Sequence, residues 1–406
     1  MINALLITLA IISGLFLVSP NIRRQRFWKA TVTPLASIIG SGFLVIVPLL
    51  SASVGAYAPL AIFGIVGFAY LVGEAIRYNI KYAEPSTTYH LPTFFKTRID
   101  NLSDISLAFA YVISVTFYLL LLASFILHGV GIEYNSAAKA IATLILATIG
   151  IAGWKTGLGL LENMEKYSVS VKLSIIIALI VGWALHDIQQ IEISSTNLLK
   201  FPELDFWSTF RTLAGLLIVV QGFETSRYLG KEYDPKTRVK SMRFAQILSG
   251  GIYIVFVALA VPTFHLLPET VSETGIIELS GVIATALPAM LIIAAIMSQF
   301  SAAVADTVGA GGLFSETIGN RFGLNENFGY LLVALMGIIL IWTIDIFQVI
   351  SIASQAFAIY YFLQCLLACI IALQRDNEKT RLIHACFFAL LAVILLGCAI
   401  FGVPAE

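Results

Sequence analysis

The chain has 406 residues, enough by length alone for two or three soluble domains. Composition excludes them: 59% of residues are hydrophobic and 12% charged, against roughly 45–50% and roughly 25% in soluble proteins, and the mean hydropathy is +0.91. Lys+Arg 24 and Asp+Glu 24 cancel, so neither a basic surface for nucleic acid nor an acidic tail is implied.

A helix that crosses a bilayer needs about 20 largely apolar residues. Twelve candidate stretches follow in chain order: 3–19, 31–50, 57–77, 105–128, 137–154, 167–186, 208–228, 244–265, 281–308, 328–345, 347–373 and 383–402. The expected fold class is an all-α polytopic membrane protein with twelve transmembrane helices. The first stretch reads as a true span and not a signal peptide. Its positive charges follow the apolar run, and Leu17-Val18-Ser19-Pro20 offers no small-residue cleavage site. Segment 266–280 places Glu269, Glu273 and Glu278 at helical spacing, which reads as a short solvated surface helix. The four cysteines all follow residue 364 and show no C-x-x-C pairing. Cys365 and Cys369 share a helix face and read as small core hydrophobes rather than metal ligands.

Lys and Arg placement sets orientation. Arg23, Arg24, Arg26 and Lys29 follow the first span, Arg77, Lys81, Lys96 and Arg98 the third, and Lys155 and Lys166 the fifth. Arg227, Lys231, Lys236, Arg238, Lys240 and Arg243 follow the seventh, Arg321 the ninth, and Arg375, Lys379 and Arg381 the eleventh. Those twenty share one side; the other holds only Lys139, Lys200 and Arg211. The expectation is a multi-pass protein of the cell (plasma or inner) membrane, with the basic side cytoplasmic and both termini outside.

Two spans carry helix breakers at mid-membrane, where freed backbone groups must find partners. The second reads Thr33-Pro34-Leu35-Ala36-Ser37-Ile38-Ile39-Gly40-Ser41-Gly42-Phe43. Its glycines are spaced GxG, not the GxxxG of close helix packing, which favours an unwound point. The seventh holds Gly215 and then Gln221-Gly222-Phe223-Glu224, polar groups that are costly unless they line a cavity. Interruptions five spans apart are the pattern of an inverted-repeat secondary transporter, with half-helix ends presented to a substrate.

Ionisable groups inside spans need partners or a cavity. Glu74 and Arg77, three residues apart near a span end, read as an interfacial pair. Glu224 and Arg227 repeat that spacing beside the second break, where a structural tether and a gating element are both open readings. Asp345, His128 and His265 sit at outer span ends and read as interfacial. Asp306 lies well inside the ninth span, and with Lys172 in the sixth it forms an opposite-sign pair deep in the core.

Ile38-Ile39-Gly40-Ser41-Gly42-Phe43 followed by Pro48 resembles the first-helix signature of the amino acid–polyamine–organocation (APC) superfamily of LeuT-type fold. Gly222-Phe223-Glu224, then Asp234-Pro235 and Arg238, resembles its sixth-helix signature, and Gly153…Lys172-Leu173 its fourth-to-fifth helix region. The likeness spans about residues 30–373. It implies a 5+5 inverted repeat with broken first and sixth core helices: an extra helix in 1–20, repeats in 30–190 and 205–373, and a last helix in 380–406. It also implies that Ser37, Gly40, Ser41 and Gly42 meet a substrate carboxylate, and that Gln221, Gly222 and Phe223 supply amine-side carbonyls and an aromatic lid. Lys172 resembles the position from which some members direct an amine into the place that sodium occupies in sodium-coupled relatives, with Ser298, Ser301 and Asp306 as its partners. The bland alternative is a lysine snorkelling to the interface.

The resulting expectation is a secondary active transporter, symporter or exchanger, of amino acids or related small amines. It would work by alternating access in the bilayer, proton-coupled or sodium-independent, with no cofactor or resident metal. The alternative is a transporter-shaped receptor that binds a small ligand without net transport. No G-x-x-x-x-G-K-[ST], H-E-x-x-H or G-x-S-x-G motif is present, which argues against ATP-driven transport and intramembrane enzymes. A metal carrier would want Asp, Asn or Met in the first break, and Ser37–Phe43 offers only serine.

Overall fold

The computed structural model describes residues 2–83, 93–132, 134–157, 159–190, 201–267, 272–319, 323, 327–374 and 378–404. Every regular element among them is helical. In chain order they are α1 (Ile2–Val18), α2 (Arg26–Ser41), α3 (Ile46–Val54), α4 (Ala58–Tyr82), α5 (Thr93–Gly129), α6 (Asn135–Thr156), α7 (Gly159–Gln190) and α8 (Phe206–Ala214). There follow α9 (Thr225–Tyr228), α10 (Pro235–Ala260), α11 (Gly275–Ile283), α12 (Leu287–Phe314), α13 (Phe328–Thr343), α14 (Ile346–Gln374) and α15 (Glu378–Phe401). Eight helical stretches are long and apolar enough to cross a membrane, and α1 and α13 are shorter apolar helices. The second and seventh expected spans fall on interrupted segments, α2–α3 and α8–α9.

Local chemistry sets the boundaries. Asp205 caps α8 by accepting the Ser208 N–H (2.8 Å). Asp234 caps α10 by accepting from the Thr237 N–H (3.0 Å) and hydroxyl (2.6 Å), with Pro235 at the first helical position. The same two bonds hold the exposed Asp234 carboxyl below the usual carboxylate range. The expected span 281–308 is displaced to Leu287–Phe314. The backbone is extended at Ala284 (φ −158°, ψ 133°), and Pro288 then opens a new helix.

α5 forms the middle of the bundle: Val115, Phe117, Tyr118, Leu119, Leu121 and Phe125 are fully buried. α6 and α15 lie outside it and expose Leu144, Ile151, Leu390 and Val393, the faces that lipid would cover. α1 is docked on the bundle: Asn3 donates to the Thr285 hydroxyl (2.7 Å) and accepts from the Ala286 N–H (3.3 Å). The expected solvated helix in 266–280 is corrected. α11 is a wedge with Ile276, Ile277, Leu279 and Ile283 buried, because four apolar side chains surround its one exposed acid, Glu278. Glu269 lies outside the described residues.

Charge collects at one end of the bundle. There Arg77 pairs with Glu74 (2.9 Å), Arg243 with the same Glu74 (3.4 Å), and Arg227 with Asp100 (3.0 Å). The Glu74–Arg77 pair is the one expected from spacing. The side chains of Lys96, Lys166, Lys200, Arg321, Arg375 and Lys379 lie outside the described residues. At the opposite end a cavity of about 420 Å³ opens between α5, α6, α11 and α14, lined by His128, Lys139, Glu273, Glu278 and Asp345.

Candidate substrate site at the paired helix interruptions

α2 unwinds after Ser41. Residues Gly42–Val45 form a turn in which the N–H groups of Val45 (3.3 Å) and Ile46 (3.0 Å) both return to the Gly42 carbonyl, and α3 resumes at Ile46. Glycine and serine hold a helix weakly here, and the carbonyls near its end are met by side chains from elsewhere. Lys172 of α7 donates to Ala36 O (2.6 Å) and to Ser298 Oγ (3.3 Å). Ser298 (3.2 Å) and Gln299 (2.9 Å) of α12 both donate to Gly40 O.

The second interruption is longer. After Ala214 the chain tightens into a 3-10 turn at Leu217–Val220, runs without helical structure through Gln221 and Gly222, and restarts as α9. Gly222 has φ +112°, a conformation that side chains rarely adopt. A Cβ on it would stand 2.6 Å from the Ser37 Cβ and 2.7 Å from the Ile38 nitrogen. A Cβ on Gly42 would strike the Val219 backbone. The two interruptions therefore touch backbone to backbone. The Tyr253 hydroxyl of α10 lies between them, 2.9 Å from Ile38 O and 2.8 Å from Val219 O.

Ser37 is thus set against Gly222 and Gly42 against Val219, while Gly40 faces α12 and Lys172. The side chain of Ser41, the last residue of α2, lies outside the described set. Gln221 turns toward α5 and donates to the Tyr118 hydroxyl (2.8 Å). Phe223 stacks on Tyr361 of α14 with centroids 5.0 Å apart and planes at 11°. Glu224 is fully buried, and its Oε2 accepts the Gly222 N–H (2.8 Å) and the Tyr361 hydroxyl (2.7 Å). Its Oε1 has no hydrogen-bond partner among the described residues. Tyr111 of α5 lies within electrostatic reach of both Glu224 and Asp306, the latter buried on α12. The outcome is a carboxylate-bearing, aromatic-walled patch against the second interruption.

The expected spacing pair Glu224–Arg227 is replaced by other partners. Glu224 caps α9 in helical conformation and its carbonyl accepts the Arg227 N–H (2.9 Å), but its carboxylate folds back onto the Gly222 N–H and away from the Arg227 side chain. Arg227 instead reaches Asp100 (3.0 Å) and Gln364, while its carbonyl accepts from Arg238 (2.7 Å). Lys172 is 4% exposed and points inward, so it does not snorkel. Its hydroxyl partner is Ser298; Ser301, one turn further along α12, is half-buried. Asp306 lies eight residues beyond Ser298, about 12 Å along the helix. Cys365 is buried and Cys369 half-buried, both as free thiols. Among the described residues no three His, Cys, Asp or Glu side chains group to hold a metal ion.

Sequence reading missed Tyr253, Tyr361, Tyr111 and Gln299. An aromatic residue inside an apolar span carries no local mark of function. Gln299 does: a primary amide between Ser298 and Phe300 is a polar group at mid-span, and the rule applied to Asp306 covers it too.

Residues 20–402 match a family model described as an APC superfamily transporter. Over 397 residues the chain is 42% identical to an uncharacterized protein of Aquifex aeolicus (strain VF5), covering 97% of this chain and 95% of that one. Crystal structures of two mutants of the Eremococcus coleocola manganese transporter superpose with TM-scores of 0.57 and 0.58 at 11% and 12% identity, each over 92% of this chain and 87% of that one. At such identity the likeness is one of fold. The match to the family runs through both interruptions and nearly the whole length, and the chain belongs to the APC superfamily of transporters.

Proposed function

We propose that the protein is a sodium-independent secondary transporter of amino acids or related small amines, working by alternating access. In this reading α2–α3 and α8–α9 are the broken first and sixth helices of a LeuT-type core, α1 precedes that core and α15 follows it. Twelve spans with the basic end in the cytoplasm then put both termini outside. The observation that carries the reading is the buried Lys172 ammonium, 2.6 Å from Ala36 O and 3.3 Å from Ser298 Oγ. A fixed cation on carbonyl and hydroxyl oxygens between the first interruption and α12 occupies the kind of site a sodium ion would need, and a buried ammonium is able to exchange a proton. Ser37, Gly40, Ser41, Gly42 and Gly222 would meet the substrate through backbone groups. Glu224 and the ring pair Phe223–Tyr361 would meet its ammonium through charge and aromatic faces, and Arg227 with Asp100 would close the basic end.

A second reading, a divalent-cation carrier, has the buried carboxylates Glu224 and Asp306, both within electrostatic reach of Tyr111, in its favour. Against it stands the absence, among the described residues, of a third ligating side chain. Reconstitution into proteoliposomes tests both. Labelled alanine, arginine, putrescine and manganese are offered with an inward proton gradient, in sodium or choline medium. Accumulation of an amine-bearing solute, equal in the two media, is expected. Sodium-dependent uptake or manganese uptake alone would overturn the proposal, and saturable binding without net flux would favour a sensor.

A further inference from the structure

A groove of about 730 Å³ opens at the basic end between α4, α10 and α15, away from the interruptions. Among the described residues five cationic side chains line it, Arg77, Lys81, Lys236, Lys240 and Arg243, against two carboxylates, Glu74 and Asp234, an excess of three positive charges within that set. Both carboxylates are engaged. Glu74 lies between Arg77 (2.9 Å) and Arg243 (3.4 Å), and Asp234 caps α10 and faces Arg26 (3.8 Å). Lys81, Lys236 and Lys240 are exposed and have no salt-bridge partner among the described residues.

Scattered surface lysines would need no explanation beyond the charge bias of one membrane face. Here the cations sit around a concavity with a defined cause. α4 and α10 are clamped together where Gly73 admits the Gln246 side chain, which bonds Arg77 and Ala69 O. α15 is held to α4 by an aromatic contact, Tyr78 on Phe388 at 5.0 Å, leaving the groove between α10 and α15. Further into the membrane the same two helices expose apolar side chains, Phe244 and Ile247 on α10 and Leu390 and Val393 on α15. Cations at the headgroup level above apolar walls are complementary to an anionic phospholipid.

We propose that this groove binds the phosphodiester headgroup of an anionic diacyl phospholipid, with Lys81, Lys236 and Lys240 as its phosphate contacts. The site is independent of the substrate reading. The full chain is purified in detergent and titrated with phosphatidylglycerol, phosphatidylcholine or inorganic phosphate, with bound adducts read by native mass spectrometry and thermal stabilisation read in parallel. Phosphatidylglycerol is expected to bind in preference to phosphatidylcholine, and inorganic phosphate not to compete. The triple variant Lys81→Gln, Lys236→Gln, Lys240→Gln should lose on the order of a hundredfold in that affinity, about fivefold per cation. A control triple at the same end, Arg24→Gln, Lys29→Gln, Lys231→Gln, should keep it, and Lys236→Gln alone should show its fivefold share even if the groove triple folds poorly. Equal binding of the two lipids, equal loss in both triples, or competition by inorganic phosphate at similar concentration would each overturn the proposal.

Discussion

Replacing Lys172 by alanine tests the coupling reading without knowledge of the substrate. The substitution removes one short charge-assisted hydrogen bond, to Ala36 O at 2.6 Å, and a longer one, to Ser298 Oγ at 3.3 Å. Gly40 O keeps its bond from Gln299 at 2.9 Å, and the loss of the short bond to Ala36 O costs about 1.5–3 kcal/mol. A buried ammonium also carries a desolvation penalty of several kcal/mol. The two terms offset each other, and Lys172→Ala should fold. The vacated place is then lined by Ala36 O, Gly40 O and Ser298 Oγ, an oxygen set suited to a small cation. If sodium enters, its concentration at about 100 times Kd stabilises the variant by about 2.7 kcal/mol. Thermal unfolding in sodium against choline chloride reads this directly: the midpoint of Lys172→Ala rises with sodium, and that of the unmodified protein does not. In proteoliposomes the variant loses uptake while the solute that stabilises the unmodified protein still binds. A sodium-dependent midpoint in the unmodified protein, or full uptake by Lys172→Ala, refutes the reasoning.

Glu224→Gln keeps an oxygen for the Gly222 N–H and Tyr361, so it should fold normally but lose stabilisation by amines, whereas Glu224→Ala should also melt earlier; unchanged amine binding in the glutamine variant would remove Glu224 from the site. Tyr253→Phe deprives Ile38 O and Val219 O of a shared donor, and its denaturation should show a loss of about 1–3 kcal/mol; an unchanged midpoint would mean that the phenol does not join the interruptions. Gly42→Val and Gly222→Val drive side chains into the opposite segment, Val219 for one and Ser37 for the other. Each should abolish ligand stabilisation and reduce the yield of folded protein, and near-normal affinity in either would remove the broken-helix site. A phosphatase reporter at the C-terminus should be active outside the cell; activity of a reporter that works only in the cytoplasm would reverse the topology.

Periodic and compositional information sufficed for much of the fold, because lipid imposes one strong rule on every span. Apolar runs marked the membrane helices, and the clustered glycines at Gly40–Gly42 and Gly215–Gly222 marked both interruptions, since backbone groups freed in lipid need special residues. The inward aim of Lys172 was open in the sequence, where a snorkelling lysine has the same neighbours. Burial against α2 and α12 decided it. What the chain order could not carry was any contact between distant helices. Glu224 and Arg227 are three residues apart and joined by a backbone turn bond, yet their side chains part, the carboxylate to Gly222 N–H and Tyr361 and the guanidinium to Asp100 on another helix. α11 looked solvated because its acids are evident in sequence and the helices covering its apolar face are not. Tyr253, Tyr111 and Tyr361 read as ordinary core aromatics until tertiary packing set their hydroxyls beside carbonyls and carboxylates. Local polarity is written along the chain, but which polar groups satisfy one another in a medium without water is settled only by which helices pack together.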